Sequence, residues 1–198
     1  MKTTKLEKLN ACSEAIKYVK TQKSAKSAWE NCERGDWMLW LAKKLNVDDR
    51  KLTLAKARCA DQVRHLMKDQ RSIDVLDACY RYARGEISRK ELDVYSAYAY
   101  TAYASTAFDA YAAAYTAAVA SSTASAAYAA FASAYTASYT AINTVRTLSL
   151  KKSAEICREI LTEDVLRKYK MSLKWILIQR IVNFLKHIVN LITIHLTR

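Results

Sequence analysis

Proline is absent from the 198 residues and glycine occurs twice, where ordinary usage would give about ten and about fourteen. Sheet proteins spend these residues at their hairpins, and phosphate-binding loops need glycine, so the shortage argues against both. What the composition favours is an all-α protein. Its apolar share of 52% is inflated by alanine, and a mean hydropathy of -0.17 describes a soluble chain. No cleavable signal pattern opens it, because MKTTKLEKLNACSEAIKYVK alternates charge with isolated apolar residues, and a cytoplasmic location is expected. The cysteines are an odd set, Cys12, Cys32, Cys59, Cys79 and Cys157, with no CxxC pair. They read as reduced thiols on apolar helix faces, and neither a metal nor a cofactor is expected.

Charge is abundant but uneven. Lys and Arg number 32 against 19 Asp and Glu, a net +13 that favours an anionic partner. Residues 1–94 carry 21 basic and 14 acidic groups, 95–145 carry Asp109 alone, and 146–198 carry 11 and 4. The ends are basic and the middle is nearly uncharged.

Helical periodicity runs along the chain. Leu6, Leu9, Cys12, Ile16 and Val19 share one face of a first helix. Ser24 caps a second, which the pair Arg34-Gly35 ends through a left-handed glycine, and Asp36 then caps Trp37 to Leu45. Asp48 or Asp49 opens a helix bearing Leu52, Ala55, Cys59, Val63 and Leu66. Ser72 caps the next, Gly85 stops it, and Ser88 with Glu91 forms a capping box for a long helix.

From Tyr95 to Val145 the chain holds 21 alanines and 9 tyrosines without a breaker. Phe108, Tyr111, Tyr115 and Val119 form one stripe, and Tyr128, Phe131, Tyr135, Tyr139 and Ile142 another, about half a turn out of phase. A turn near Ser121 to Ser125 reconciles them as an antiparallel hairpin. The equal spacing of Cys12 to Cys32 and Cys59 to Cys79, offset by 47 residues, reads as a repeat of the HEAT kind. The expected architecture is therefore stacked antiparallel helical hairpins. Residues 1–169 form one domain, made of helices over 1–94, the Ala/Tyr pair over 95–145 and a closing helix over 146–169.

A basic amphipathic extension follows over 170–198. Trp175, Ile178, Ile181, Leu185 and Val189 lie on its broad apolar face, which suits packing on the body or self-association into a homo-oligomer. Arg180, Lys186 and His187 within that segment argue against a span, and a membrane-surface helix is the lesser reading.

Two segments could carry binding chemistry. Around Cys32-x-Arg34-Gly35-Asp36-Trp37-Met38-Leu39-Trp40-Leu41, with Trp29 just before, indoles crowd an Arg-Asp pair. They form either a structural clamp at a helix junction or a pocket in which Trp37 or Trp40 stacks on a planar ligand while Arg34 holds an anion. In Arg58-Cys59-Ala60-Asp61 to Ser72, the residues Arg58, His65 and Asp69 fall on one helical stripe, with Asp61 and Arg64 flanking and Arg71 beyond. His65 and Asp69 could form an acid/base pair, yet a solvated face explains them as well. No serine on a glycine elbow and no second histidine stands nearby, so no catalytic residue is assigned.

These two runs resemble the immunity protein family of bacterial polymorphic toxin systems, which also occurs on phages and mobile elements. The likeness covers roughly residues 10–90, and the alanine-rich region and Ala154 to Tyr169 are similar in character. It implies an all-helical, non-catalytic binder that neutralises a protein effector or toxin. The chain departs from that pattern after Tyr169. A sponge for a nucleotide-derived immune signal, with Arg34, Arg58, Arg64 and Arg71 on phosphates, is the alternative, and nucleic-acid binding is third. The direction of the arginines separates them: toward a cavity for the sponge, into Asp36, Asp61 and Asp69 for the surface binder.

Overall fold

The computed structural model describes residues 4–67, 69–105 and 147–170. Both expected Ala/Tyr stripes with the turn between them, which fall within 106–146, and the amphipathic extension beyond Lys170, with Trp175, Ile178, Ile181, Leu185 and Val189, lie outside the described residues. Those described are all-helical, and the helices pack against one another. Helix α1 spans Thr4–Lys8, α2 Ser13–Lys20, α3 Ala25–Glu30, α4 Gly35–Lys44 and α5 Asp49–Asp61. A 3-10 turn over Arg64–Leu66 leads to α6, Gln70–Arg84, and α7, Arg89–Ser105. Residues 147–170 form a further helix, α8.

With so few glycines, asparagine stops two of these helices. Asn10 and Asn46 take left-handed backbone angles (φ 60° and 51°), as Gly85 does after α6 (φ 84°). At each stop the next amide reaches back to close the last turn. Ala11 donates to the Leu6 carbonyl, Val47 to Ala42 and Glu86 to Arg81. These are Schellman closures, and asparagine tolerates the left-handed region better than other side-chain-bearing residues. The single first helix expected from Leu6 to Val19 is therefore two helices. Its break leaves Cys12 exposed at the α2 N-cap, while the other four thiols are buried.

Several helix starts carry side-chain caps, although those of α2 and α4 do not. Ser24 accepts from the Ser27 amide, Asp48 from Lys51, and Ser88 and Glu91 bond reciprocally at 2.7 and 3.2 Å. Two starts are displaced: Asp69 caps α6, with Ser72 buried inside it, and Arg34 is the N-cap of α4, with the expected cap Asp36 inside the helix. Gly35 likewise is the first residue of α4, not a left-handed stop. Its role is closeness, since a Cβ there would stand 2.4 Å from the Ser153 Cβ of α8 and 2.8 Å from the Ala154 nitrogen.

Helix α5 is shared by two cores. Leu52, Ala55 and Cys59 join Trp29, Met38, Leu39 and Ala42 from α3 and α4 and Ala154, Cys157, Leu161 and Val165 from α8. Ala57 and Ala60 face Val75, Leu76 and Cys79 of α6 and Leu92 and Ala99 of α7. Alanine on both sides lets helices approach closely, which is why α5 needs few large residues. The expected 47-residue repeat has unequal members, because α2 and α3 hold 8 and 6 residues whereas α5 and α6 hold 13 and 15. Cys12 also precedes its helix while Cys59 lies near the end of its own.

Candidate functional site: the tryptophan junction and its cavity

The end of α3 and the link to α4 are both tied to α8. Trp29, 4% exposed, donates its indole N–H to Thr162 Oγ1 at 2.8 Å, and Arg158 Nη1 donates to the Cys32 carbonyl at 2.7 Å. Arg34, at the α4 N-cap, forks onto Asp36, Nε to Oδ1 at 2.9 Å and Nη2 to Oδ2 at 2.6 Å. Such a planar two-point pair holds its geometry better than a point charge would, and it places the carboxylate in the favourable first turn of α4. The pair keeps Arg34 firmly protonated. Its guanidinium lies 4.4 Å from the centre of the Trp37 ring, which in turn stands 6.0 Å from Tyr18.

The other arginines are also engaged. Arg58 meets Glu159 of α8 at 2.6 Å, not Asp61. Arg64 bridges Asp61 and Asp77, both at 2.6 Å, and is held protonated chiefly by Asp77. Arg71 forks onto Asp69 at 3.0 and 2.7 Å and lies 5.7 Å over the Tyr98 ring. The single stripe expected for Arg58, His65 and Asp69 does not exist, because α5 ends at Asp61 and the chain passes through a 3-10 turn. His65 is exposed on that turn. Asp69 accepts from both the side chain and the amide of Arg71, which hold its carboxyl below the usual range. The carboxylate is committed to its cap and its arginine rather than to acid/base work with His65.

Beside the junction is an apolar cavity of about 70 Å³ between α1, α2, α3, α4 and α8. Leu6, Tyr18, Trp29, Trp37, Trp40, Leu41, Val165 and Tyr169 line it, and none of Arg34, Arg58, Arg64 or Arg71 does. Cations lie over its rings instead: Arg34 over Trp37, Lys44 at 6.0 Å from Trp40 and Lys5 at 3.9 Å from Tyr169. Lys5 also donates to the Tyr169 carbonyl at 3.3 Å, and its burial brings the ammonium down to about 8. The contribution of α1 and α8 was hidden from local pattern reading, since Leu6 and Tyr169 are near opposite ends of the described chain. Among the described residues no group of three or more His, Cys, Asp or Glu is arranged to hold a metal ion, and no helix is long and apolar enough to cross a membrane.

Comparison with protein-family models, curated proteins and solved structures finds no match to this chain.

Proposed function

We propose that the chain is a non-catalytic, immunity-type or anti-defence binding protein that neutralises or sequesters a protein effector in bacterial or phage conflict. The observation that supports this reading is the commitment of the arginines. Asp36, Glu159, the pair Asp61 and Asp77, and Asp69 take up Arg34, Arg58, Arg64 and Arg71 in turn. A phosphate ligand would have to displace each carboxylate, and the two-point Arg34-Asp36 pair, with its carboxylate largely buried, resists that most. The resemblance of the Cys32 to Leu41 and Arg58 to Ser72 runs to immunity proteins points the same way, and net charge +13 suits an acidic partner.

Functional selection tests it. Host cells expressing the chain receive a library of bacterial toxin domains, and the chain should restore growth against a particular effector. The two purified proteins should then form a complex in which the effector's activity is lost. The reading fails if no effector is neutralised. It also fails if mass spectrometry of small molecules released from the heated protein finds a bound nucleotide, which would establish the sponge.

A further inference from the structure

We infer that the apolar cavity beside the tryptophan junction is a docking site for an acidic segment of a partner protein, which inserts one aliphatic side chain between the rings. This rests on the binding-protein reading and assigns it a surface. The cavity's volume of about 70 Å³ is several times the roughly 10–15 Å³ that one water requires, and the space is partly open to solvent. Water is poorly served there, because the lining is almost wholly apolar and a buried water needs two to four polar partners. The branched end of a leucine or isoleucine matches that apolar lining without leaving a polar group unpaired. A pocket walled by Trp and Tyr that takes an apolar anchor is where binding energy concentrates in protein interfaces.

Charge selects among possible occupants. Residues 4–47, which supply α1 to α4, carry nine basic and five acidic side chains, and three of those acids, Glu30, Glu33 and Asp36, are paired with Lys26, Lys151 and Arg34. Lys44 is exposed beside the Trp40 ring. The chain's own segment 171–198 has four basic residues and no acidic one, and a second copy brings a net +13. Both would meet this surface with like charge, which disfavours association. An acidic segment sets its carboxylates against Lys44 and its neighbours while its aliphatic side chain fills the cavity.

The test is random-peptide phage display on the full-length protein, followed by fluorescence anisotropy of the selected peptides. Enriched peptides should combine carboxylates with a Leu or Ile. Replacing that aliphatic residue by alanine should weaken binding roughly tenfold or more. Ala15 lines the cavity and is only half-buried, so Ala15→Leu should fill it and weaken binding similarly. Lys44→Glu should weaken binding more at low salt than at high. Should Ala15→Leu not fold, the substitution in the peptide probes the same cavity. Selection of peptides without the acidic-aliphatic pattern, no selection at all, or binding indifferent to the peptide's aliphatic residue would overturn the proposal. The two readings separate in the growth assay. Ala15→Leu and Lys44→Glu chains that fold and still neutralise the effector fully would sink this site and leave the function standing. A wild-type chain that selects such peptides but neutralises nothing would do the reverse.

Discussion

Lys56 is 2% exposed in the middle of α5, and burial lowers its ammonium to about 8, with Cys79, Asp49, Arg89 and Lys43 as its electrostatic neighbours. In the unfolded chain the same group titrates near 10.4. Folding is therefore penalised wherever the lysine must be charged, fully below pH 8 and less as pH rises toward 10.4. Lys56→Met keeps the length of the side chain and removes the charge. The variant should be more stable than the parent by up to about 3 kcal/mol at pH 7, a gap that closes by about pH 10. Denaturation by urea at several pH values measures it, and a gap that does not change with pH would refute the argument. Lys56 was legible after a fashion, because it falls on the stripe of Leu52, Cys59 and Val63, where a charge is out of place. Trp29 illustrates the opposite case. Three tryptophans near the junction look equivalent in sequence, but Trp29 is buried and bonded to Thr162 while Trp37 and Trp40 are partly exposed. Trp29→Ala should cost about 3 to 5 kcal/mol in thermal or chemical unfolding. Trp37→Ala should cost clearly less, and equal losses would contradict this division.

Among the helices, starts were easier to read than stops. A cap announces itself by residue type, as Ser24, Asp48 and the Ser88-Glu91 box do. A stop in a glycine-poor chain falls to asparagine, which the hydrophobic periodicity of Leu6 to Val19 conceals. Asn46 makes this testable. Its left-handed backbone (φ 51°) costs a β-branched residue about 1 to 2 kcal/mol and glycine nothing. Asn46→Val should lower the melting temperature while Asn46→Gly leaves it level or raises it. A valine variant as stable as the parent would mean that the α4 stop does not depend on that conformation. Charge pairings were legible only when near in sequence. Arg34 with Asp36 and Arg71 with Asp69 are two residues apart and could be foreseen as pairs. Arg58 with Glu159 is 101 apart, and nothing in the local pattern ties α5 to α8. The His65-Asp69 stripe misled because no glycine or proline marks the end of α5 at Asp61.

For the molecule as a whole, charge becomes a stability term at low pH. Hydrogen bonds and ion pairs hold carboxyls below their ordinary values across the fold: Asp69 by Arg71, Glu86 by Arg84, Glu159 by Arg58 and Asp164 by Lys51. Asp164 is the most buried of these, 4% exposed, and its bond to Lys51 at 2.8 Å ties α8 to α5. A carboxyl whose folded value is lowered contributes stability above its unfolded value, about 3.9 for Asp and 4.3 for Glu. That contribution disappears as pH falls through the folded value. Protonating the 19 carboxylates also leaves all 32 Lys and Arg charges unopposed, which repel one another in a compact chain. The expected outcome is a cooperative loss of helical circular dichroism between about pH 4 and pH 2, preceded by a falling melting temperature. Asp164→Asn should already melt lower at pH 7, because it removes the charge that Lys51 and Arg167 share. Its melting temperature should then depend less steeply on acid than the parent's, since one of the linked protons has gone. A parent that keeps its helical signal and melting temperature down to about pH 2 would show that these pairs are ornaments of an apolar core rather than part of what holds α8 in place.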